Sequence, residues 1–131
     1  MNKKRIVTPK APTAIGPYSQ GIIAPPFVFV SGQIPIDPAT GEMPEGIEAQ
    51  TNMIFSHLQA VLNESSLSLN NIVKTTVFLK NLSDFAVMNE VYAQYFSEPF
   101  PARSTVEVSN LPKGALIEVE CIAYSAIMDN N

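Results

Sequence analysis

The stretch FPARSTVEVSNLPKGALIEVE, residues 100–120, alternates charged and apolar side chains along two predicted strands. Because side chains two residues apart share one face of a strand, Arg103 and Thr105 point the same way. Glu118 and Glu120 likewise share a face, opposite the apolar side chains of the last strand. If the short connection makes the two strands an antiparallel pair, Arg103 and Glu118 lie on one surface.

The pair Arg103 and Glu118 has two interpretations. In the first it is a cross-strand ion pair on an exposed sheet, which contributes ~0–1 kcal/mol to stability. In the second it is an anion site, because a guanidinium is a planar two-pronged donor that matches a carboxylate. A neighbouring glutamate would stay ionised there and could orient or deprotonate a water. The spacing leaves both interpretations open.

Composition indicates one globular domain over residues 1–131. The chain is 46% hydrophobic and 15% charged, and 131 residues suffice for one core. Eight Lys and Arg against 12 Asp and Glu give a net charge of −4. Nucleic-acid binding is therefore not expected, since it requires clustered positive charge.

The chain offers few groups for metal, redox or covalent chemistry. Cys121 is the single cysteine, which fits a reducing compartment. His57, the single histidine, is predicted on a solvated helix face with Gln50, which disfavours a Ser/His/Asp triad. One Cys and one His cannot form a usual zinc site, and no glycine-rich phosphate loop occurs, so no cofactor is expected. With no secretory leader and no apolar run of about 20 residues, we expect a cytoplasmic protein without a membrane span.

Hydrophobic periodicity predicts an α+β fold with two helices on one face of a mixed sheet. The other sheet face would be bare, so we expect an oligomer that buries it. Residues 9–26 are Pro-rich and are predicted to be irregular. The predicted elements are a strand at 27–32 that folds back as a hairpin through DPATG (37–41), a helix at 46–64, a strand at 71–80, a second helix with Asn81 or Ser83 as N-cap that ends before Pro99, and strands at 103–108 and 115–125. The predicted apolar stripes are Ile47, Thr51, Ile54, Phe55, Leu58, Val61 and Leu62 on the first helix, and Leu82, Phe85, Ala86, Asn89, Tyr92, Ala93 and Phe96 on the second.

Five segments between residues 5 and 125 together resemble one known family. They are AIGPYSQG (14–21), VSGQIP (30–35), DPATGE (37–42), NIVKTTVF (71–78), and FPARSTVEV (100–108) with IEVE (117–120). In this order they resemble the RidA (YjgF) family of small enamine/imine deaminases. The resemblance implies a fold like that of chorismate mutase of the bacillary type. It also implies a homotrimer with its sheets packed around the threefold axis and its sites between subunits.

The resemblance further implies an activity in metabolite damage control. Such proteins hydrolyse 2-aminoacrylate-type enamines and their imine tautomers, 2-iminopropanoate and 2-iminobutanoate, to 2-oxo acids and ammonia. Carried over by position, Arg103 resembles the arginine that clamps the substrate carboxylate, and Glu118 the acid that positions water. Tyr18, Ser31, Gly32 and Asn89 resemble substrate-binding positions. Thr105, also carried over as a substrate-binding position, stands where many relatives have cysteine. Activity survives if that position acts through its backbone, whereas any role of the thiol is missing here.

Each of these residues also has a purely structural interpretation. Tyr18 can be a loop aromatic that packs on the core, Ser31 and Gly32 the end of a strand, and Asn89 a satisfied structural amide. Two alternative functions also stay open: an endoribonuclease or translation inhibitor, and a non-catalytic small-molecule-binding or chaperone-like protein. The acidic balance and the single histidine disfavour RNA cleavage, and the retained Glu118 favours the enzyme.

Overall fold

Six strands and two main helices form the computed structural model, which describes residues 2–129. The elements are β1 (Lys4–Ile6), β2 (Gly21–Ala24), β3 (Phe27–Gln33), α1 (Ile47–Asn63), β4 (Ile72–Leu79), α2 (Phe85–Ala93), β5 (Ala102–Glu107), β6 (Ile117–Tyr124) and the short α3 (Ala126–Asp129). The strands form one sheet in the order β1-β2-β3-β6-β4-β5. The order confirms the predicted mixed α+β sheet, since β4 and β5 run parallel while the other neighbours are antiparallel.

The predicted antiparallel pairing of the last two strands is wrong. β5 lies beside β4, where Arg103 pairs with Thr75, and β6 lies on the other side of β4, where Glu118 pairs with Phe78. The β4-α2-β5 unit is a crossover connection, which places β5 parallel to β4. The chain after β5 then passes the end of β4 through a 3₁₀ turn at Pro112–Gly114 before β6 begins. Arg103 and Glu118 are therefore not cross-strand neighbours.

The predicted first strand and first helix are confirmed, but the chain between them is not a hairpin. DPATG does form a turn, in which the Gly41 amide donates to the Asp37 carbonyl (2.8 Å), but α1 follows it without a second strand. The hairpin lies earlier, between β2 and β3, and turns at Pro25 and Pro26. The prediction that residues 9–26 are irregular is therefore wrong for β2. Residues 21–24 contain no proline, so their amides can take part in strand pairing.

The polar side of α1 differs from the prediction. Its apolar stripe is buried as expected apart from the half-buried Ile47, but His57 (3% exposed) and Gln50 (5% exposed) are buried as well. Gln50 donates to the Pro44 carbonyl (3.0 Å) and accepts from the Leu116 amide (2.8 Å). His57 Nε2 donates to the Ile36 carbonyl (2.9 Å). Both side chains connect α1 to surrounding loops by hydrogen bonds. Hydrophobic periodicity does not predict which loops cover a helix, so it predicted these two side chains as exposed.

The core face of α2 is rotated from the predicted stripe. Met88, Val91 and Tyr92 are buried, while Leu82 and Phe85 are substantially exposed. Neither Asn81 nor Ser83 caps the helix, which begins after a 3₁₀ turn at Leu82–Asp84. The Leu82 amide instead donates to Glu107 Oε1 of β5 (2.7 Å), so this carboxylate satisfies a donor at the helix start.

Both helices contribute to the core on one face of the sheet, and the other face carries partly exposed apolar side chains. On that open face Phe27 and Phe29 are 39% and 44% exposed, and the Phe27 ring contacts the Tyr124 ring. This confirms the expected bare sheet face. Within residues 2–129, no helix has the length and apolar character needed to cross a bilayer.

Candidate functional site

The first group of site residues, here called the arginine half-site, lies between β5 and α2 on the helix face of the sheet. The Arg103 guanidinium carbon is 4.7 Å from the ring centroid of Tyr92 and 5.5 Å from that of Phe85. Such cation–π contacts hold a guanidinium in one plane and leave its N–H edge free to donate to acceptors. Among residues 2–129, Arg103 makes no ion pair and no hydrogen bond. Its charge is therefore positioned by rings rather than neutralised.

Two polar atoms of the same half-site are buried without a partner in the described part of the chain: Asn89 Oδ1 and Thr105 Oγ1. Asn89 lies on α2 four residues after Phe85 and three before Tyr92, on the helix face that carries both rings. Thr105 follows Arg103 by two residues and points to the same side of β5. A buried polar atom without a hydrogen bond costs about 1–3 kcal/mol, so these atoms are candidates to meet a ligand.

The second group, the glutamate half-site, comprises Tyr18, Ser31, Gly32 and Glu118. The Glu118 carboxylate rests on the backbone of Gly32: a Cβ at residue 32 would lie 2.2 Å from Glu118 Oε2 and 2.8 Å from its carboxyl carbon. A side chain at residue 32 would therefore force the end of the Glu118 side chain to move from this position. The structure thus explains the glycine by close approach, whereas the sequence alone allowed a simple strand ending.

The Glu118 carboxyl lies in an environment that favours its protonated form. Partial burial is the larger cause and the nearby Glu120 carboxylate the second, and both raise the pKa of Glu118 above its ordinary value. Glu118 forms no ion pair within residues 2–129, so no directly bonded cation opposes this shift. A carboxyl with a raised pKa is suited to exchange a proton with substrate or water.

A cleft of about 800 Å³ opens beside Glu118 on the open face of the sheet. Its lining includes the whole glutamate half-site, together with Asp37, Lys113, Glu120 and several apolar side chains. Tyr18 is 53% exposed, and its hydroxyl accepts from the Ile15 amide (3.3 Å), so it stands at the cleft rather than in the core. The alternative of a core-packed Tyr18 is therefore not what the fold shows.

A residue outside the predicted set, Gln20, organises the loop that carries Tyr18. The buried side-chain oxygen Oε1 of Gln20 accepts from the Thr8 backbone amide (2.7 Å). Its Nε2 donates to the carbonyls of Thr8 (3.0 Å), Ala11 (3.3 Å) and Pro12 (2.8 Å). Its own carbonyl accepts from the Ser31 amide (3.0 Å), and the Ser31 hydroxyl donates to the Ser19 carbonyl. Ser31 is thus bonded to the loop. The sequence shows only a glutamine within a Pro-rich segment, and its burial and its bonds to the loop carbonyls become visible only in the structure.

The two half-sites lie on opposite faces of the sheet of one chain. Arg103 pairs with Thr75, whose other neighbour is the buried Cys121, so all three point to the helix layer. Glu118 precedes Cys121 by three residues and therefore points to the open face. The prediction that Arg103 and Glu118 share one surface within the chain is wrong, because β4 separates their strands and the pleat reverses their directions.

Other reactive groups lie outside both half-sites. Burial raises the pKa of Cys121 to about 12, so this thiol stays protonated in the core. Phe85 and Tyr92, which hold Arg103, were predicted only as apolar stripe residues. Their role needs the β4-α2-β5 crossover, which the stripe pattern does not reveal.

Comparison with known proteins now adds to the geometry. The family described as Endoribonuclease L-PSP matches residues 8–125, which include every predicted site residue. The chain belongs to this family. It is the RidA family that the five sequence segments resemble, so that prediction is confirmed.

Relatives in the Endoribonuclease L-PSP family carry different names. A RutC family protein of Pyrococcus abyssi is 58% identical over 125 residues, covering 95% of this chain and 98% of the relative. The 2-iminobutanoate/2-iminopropanoate deaminase of Escherichia coli K12 is 47% identical over 123 residues, covering 92% and 96%. Among solved structures, Escherichia coli TdcF with bound serine has a TM-score of 0.89 and 44% identity, covering 94% of this chain and 99% of that one. The family fold is thus shared over nearly the whole chain.

Proposed function

We propose that this protein is a hydrolytic deaminase of 2-aminoacrylate-type enamines and of 2-iminopropanoate and 2-iminobutanoate, which yields 2-oxo acids and ammonia. The observation that carries the proposal is the unpaired Arg103 guanidinium stacked on Phe85 and Tyr92. A charge kept free of carboxylates and fixed in one plane is suited to grip a small organic carboxylate. The name of the Escherichia coli relative adds support for imino acids as the substrate class.

Glu118 supplies the second part of the reaction. With the carboxylate held by Arg103, the C=N carbon faces a water that Glu118 orients and deprotonates. The hydroxide adds to the C=N carbon of the protonated imine and gives a carbinolamine, whose nitrogen then receives the proton from Glu118. The C–N bond breaks as the carbinolamine hydroxyl loses its proton to the Glu118 carboxylate, so that ammonia leaves and the 2-oxo acid remains. A raised pKa suits this exchange, because a stronger base takes the proton more readily. Imines hydrolyse in water unaided, so the chemistry asks mainly for a held substrate and a positioned water.

The two half-sites form one site in a homotrimer. Since Arg103 and Glu118 point to opposite faces of one sheet, a single chain cannot bring them to one substrate. The open sheet face with Phe27, Phe29 and Tyr124 supplies apolar surface for packing around a threefold axis. In this assembly the arginine half-site of one subunit meets the glutamate half-site of the next, and each interface holds one substrate.

In the proposed site the remaining residues contact the substrate between Arg103 of one subunit and Glu118 of the next. Asn89 Oδ1 and Thr105 Oγ1, both without partners, provide polar contacts beside the held carboxylate. Tyr18 covers the cleft from its loop, and Ser31 with Gly32 brings the backbone close to Glu118. We place the protein in the cytoplasm, where such reactive imines are released.

RNA cleavage is the second candidate, and the family's description favours it. The site chemistry favours the deaminase, because Asp37, Glu118 and Glu120 make the cleft acidic and the net charge is −4. A polyanion would be repelled from such a cleft.

The test is ammonia release from freshly generated 2-iminobutanoate, run beside an RNA-cleavage assay on the same preparation. We expect hydrolysis by the unmodified protein and a loss of about 100- to 1,000-fold for Arg103→Ala, with the assembly unchanged by size-exclusion chromatography. Arg103→Lys keeps the charge but loses the planar fork, so it should recover only part of the rate. Unchanged turnover in Arg103→Ala, or RNA cleavage without imine hydrolysis, would remove the proposal.

A further inference from the structure

The cleft beside Glu118 contains a second carboxylate, Glu120, to which the proposed reaction gives no part. Glu120 follows Glu118 by two residues on β6, so the pleat directs both side chains to the open face of the sheet. Both line the same cleft. Glu118 pairs with Phe78 and Glu120 with Thr76, so neither carboxylate faces a cation across the strand pair.

The two carboxylates differ in their freedom to avoid each other. Glu118 is partly buried and rests on the Gly32 backbone, where a Cβ would lie 2.2 Å from its Oε2. Glu120 is exposed and keeps its water shell. When two like charges share a site, the less solvated group takes up the proton. Because Glu118 is the more buried of the two, the repulsion between the carboxylates raises the pKa of Glu118.

We infer that Glu120 is a positioning residue that strengthens Glu118 as a base by placing a second negative charge beside it. The inference rests on the proposed function for its role in catalysis, but the electrostatic effect on Glu118 can be measured without turnover. The direction agrees with the raised pKa of Glu118, to which burial contributes most and the Glu120 carboxylate second.

The other charges near Glu118 are few in the part of the chain that the structure describes. Asp37 also lines the cleft and acts in the same direction as Glu120, whereas Lys113 lines it with the opposite sign. Two lysines of the same sheet face are engaged elsewhere. The Lys74 ammonium donates to Ser104 Oγ (3.0 Å) on β5, and Lys80, whose amide donates to the Leu116 carbonyl (2.9 Å), has its ammonium on Asn110 Oδ1 (2.9 Å). In the proposed trimer Arg103 of the next subunit adds a positive charge, which makes a local negative charge more important for keeping Glu118 basic.

Removing the charge of Glu120 should make Glu118 a weaker base. In Glu120→Gln the pKa of Glu118 should move down, and the acidic limb of kcat/KM for imine hydrolysis should move to lower pH with it, because that limb reports the free enzyme's base. Glu120→Asp keeps the charge and should retain a limb close to the unmodified one. Glu64→Gln removes one exposed charge at the end of α1, on the helix layer, and should leave the limb in place.

The experiment is a carboxyl ¹³C NMR titration of the unmodified protein and of Glu120→Gln, Glu120→Asp and Glu64→Gln, with Glu118→Gln used to assign the Glu118 signal. A downward shift of the Glu118 midpoint in Glu120→Gln alone supports the inference. An unchanged midpoint in that variant overturns it. If the midpoint shifts while the limb of kcat/KM stays, Glu120 does tune Glu118 and it is the catalytic role of Glu118 in the proposed function that fails.

Discussion

The arginine half-site and the glutamate half-site lie on opposite faces of one sheet, and their surroundings affect the charge of the central side chain in opposite ways. Around Arg103, two aromatic rings hold a positive charge without neutralising it. Around Glu118, partial burial and the Glu120 carboxylate make a negative charge unfavourable. The arginine half-site favours an anion and the glutamate half-site a proton donor. A zwitterionic imino acid supplies the carboxylate, and its attacking water supplies the proton. The comparison explains why neither half alone amounts to an active site.

The largest effect on the glutamate half-site should come from Gly32→Ala. The added Cβ displaces the Glu118 carboxylate from its place on the backbone, so we expect imine hydrolysis to fall by about 100-fold, as when a catalytic group is misplaced by about 1 Å. A substrate-carboxylate analogue should still bind through Arg103. The check is kcat from ammonia release beside analogue binding by calorimetry.

The matched control for Gly32→Ala is a double-mutant cycle with Glu118→Ala. All three atoms nearest to the added Cβ belong to Glu118, so Gly32→Ala should lower the melting temperature in the unmodified background and cost little in the Glu118→Ala background. Equal costs in both backgrounds would show that the glycine serves some other contact.

Gln20→Glu tests whether the wall of the glutamate half-site depends on its loop. The change keeps the acceptor for the Thr8 amide but removes the donors to three carbonyls, which should reduce stability by about 1–3 kcal/mol and raise KM through Tyr18. Gln94→Glu, at an exposed position after α2, makes the same chemical change without these bonds. Similar denaturation midpoints for both variants would argue against a role for the amide.

Thr105→Val tests the arginine half-site from the opposite direction. Because Thr105 Oγ1 is buried without a partner, its replacement by a methyl group should leave stability unchanged or raise it by about 1 kcal/mol. We expect kcat/KM to fall severalfold, since the hydroxyl is proposed to meet the substrate. Thermal unfolding and steady-state kinetics on the same variant measure the two effects, and a clear loss of stability would show that the hydroxyl has a structural partner.

The smallest expected effect concerns His57, which ties α1 to the cleft wall at Ile36. Burial lowers the pKa of His57 below its ordinary 6.5, although the Ile36 carbonyl and Asp37 act against that shift. The unfolded chain therefore binds a proton that the folded chain does not, and stability should fall as pH decreases below about 6.5. In His57→Gln this part of the pH dependence should disappear, as measured by urea denaturation between pH 5 and 8. A slope that persists in the variant would assign it to other groups.

Much of the fold could be predicted from the sequence because its helices and central strands have strong periodicity. Helix α1 and strands β3, β4, β5 and β6 lie within about two residues of their predicted bounds. The pairing of β5 and β6 could not be predicted from the length of their connection, since that loop passes the end of β4 instead of forming a hairpin. The burial of His57 and Gln50 likewise depends on loops that cover α1.

The candidate site was predicted by residue identity but not by arrangement. Arg103 and Glu118 came from an alternating pattern, which establishes a face within each strand but not which face of the sheet. Phe85, Tyr92 and Gln20 were missed as site residues because rings in a helix stripe and an amide in a Pro-rich segment have ordinary structural roles in most proteins. Only the three-dimensional neighbours reveal that these side chains hold Arg103 and the Tyr18 loop.

Two subunits share each site in the proposed trimer, and subunit complementation measures this sharing without a structure of the assembly. Arg103→Ala and Glu118→Gln chains, each inactive alone, are mixed in equal amounts, unfolded and reassembled. If Arg103 of one subunit works with Glu118 of the next, about a quarter of all sites in the reassembled trimers regain both residues, and imine hydrolysis returns to about that fraction of the unmodified rate. Mixed assemblies that form but stay as inactive as the separate variants would contradict the account.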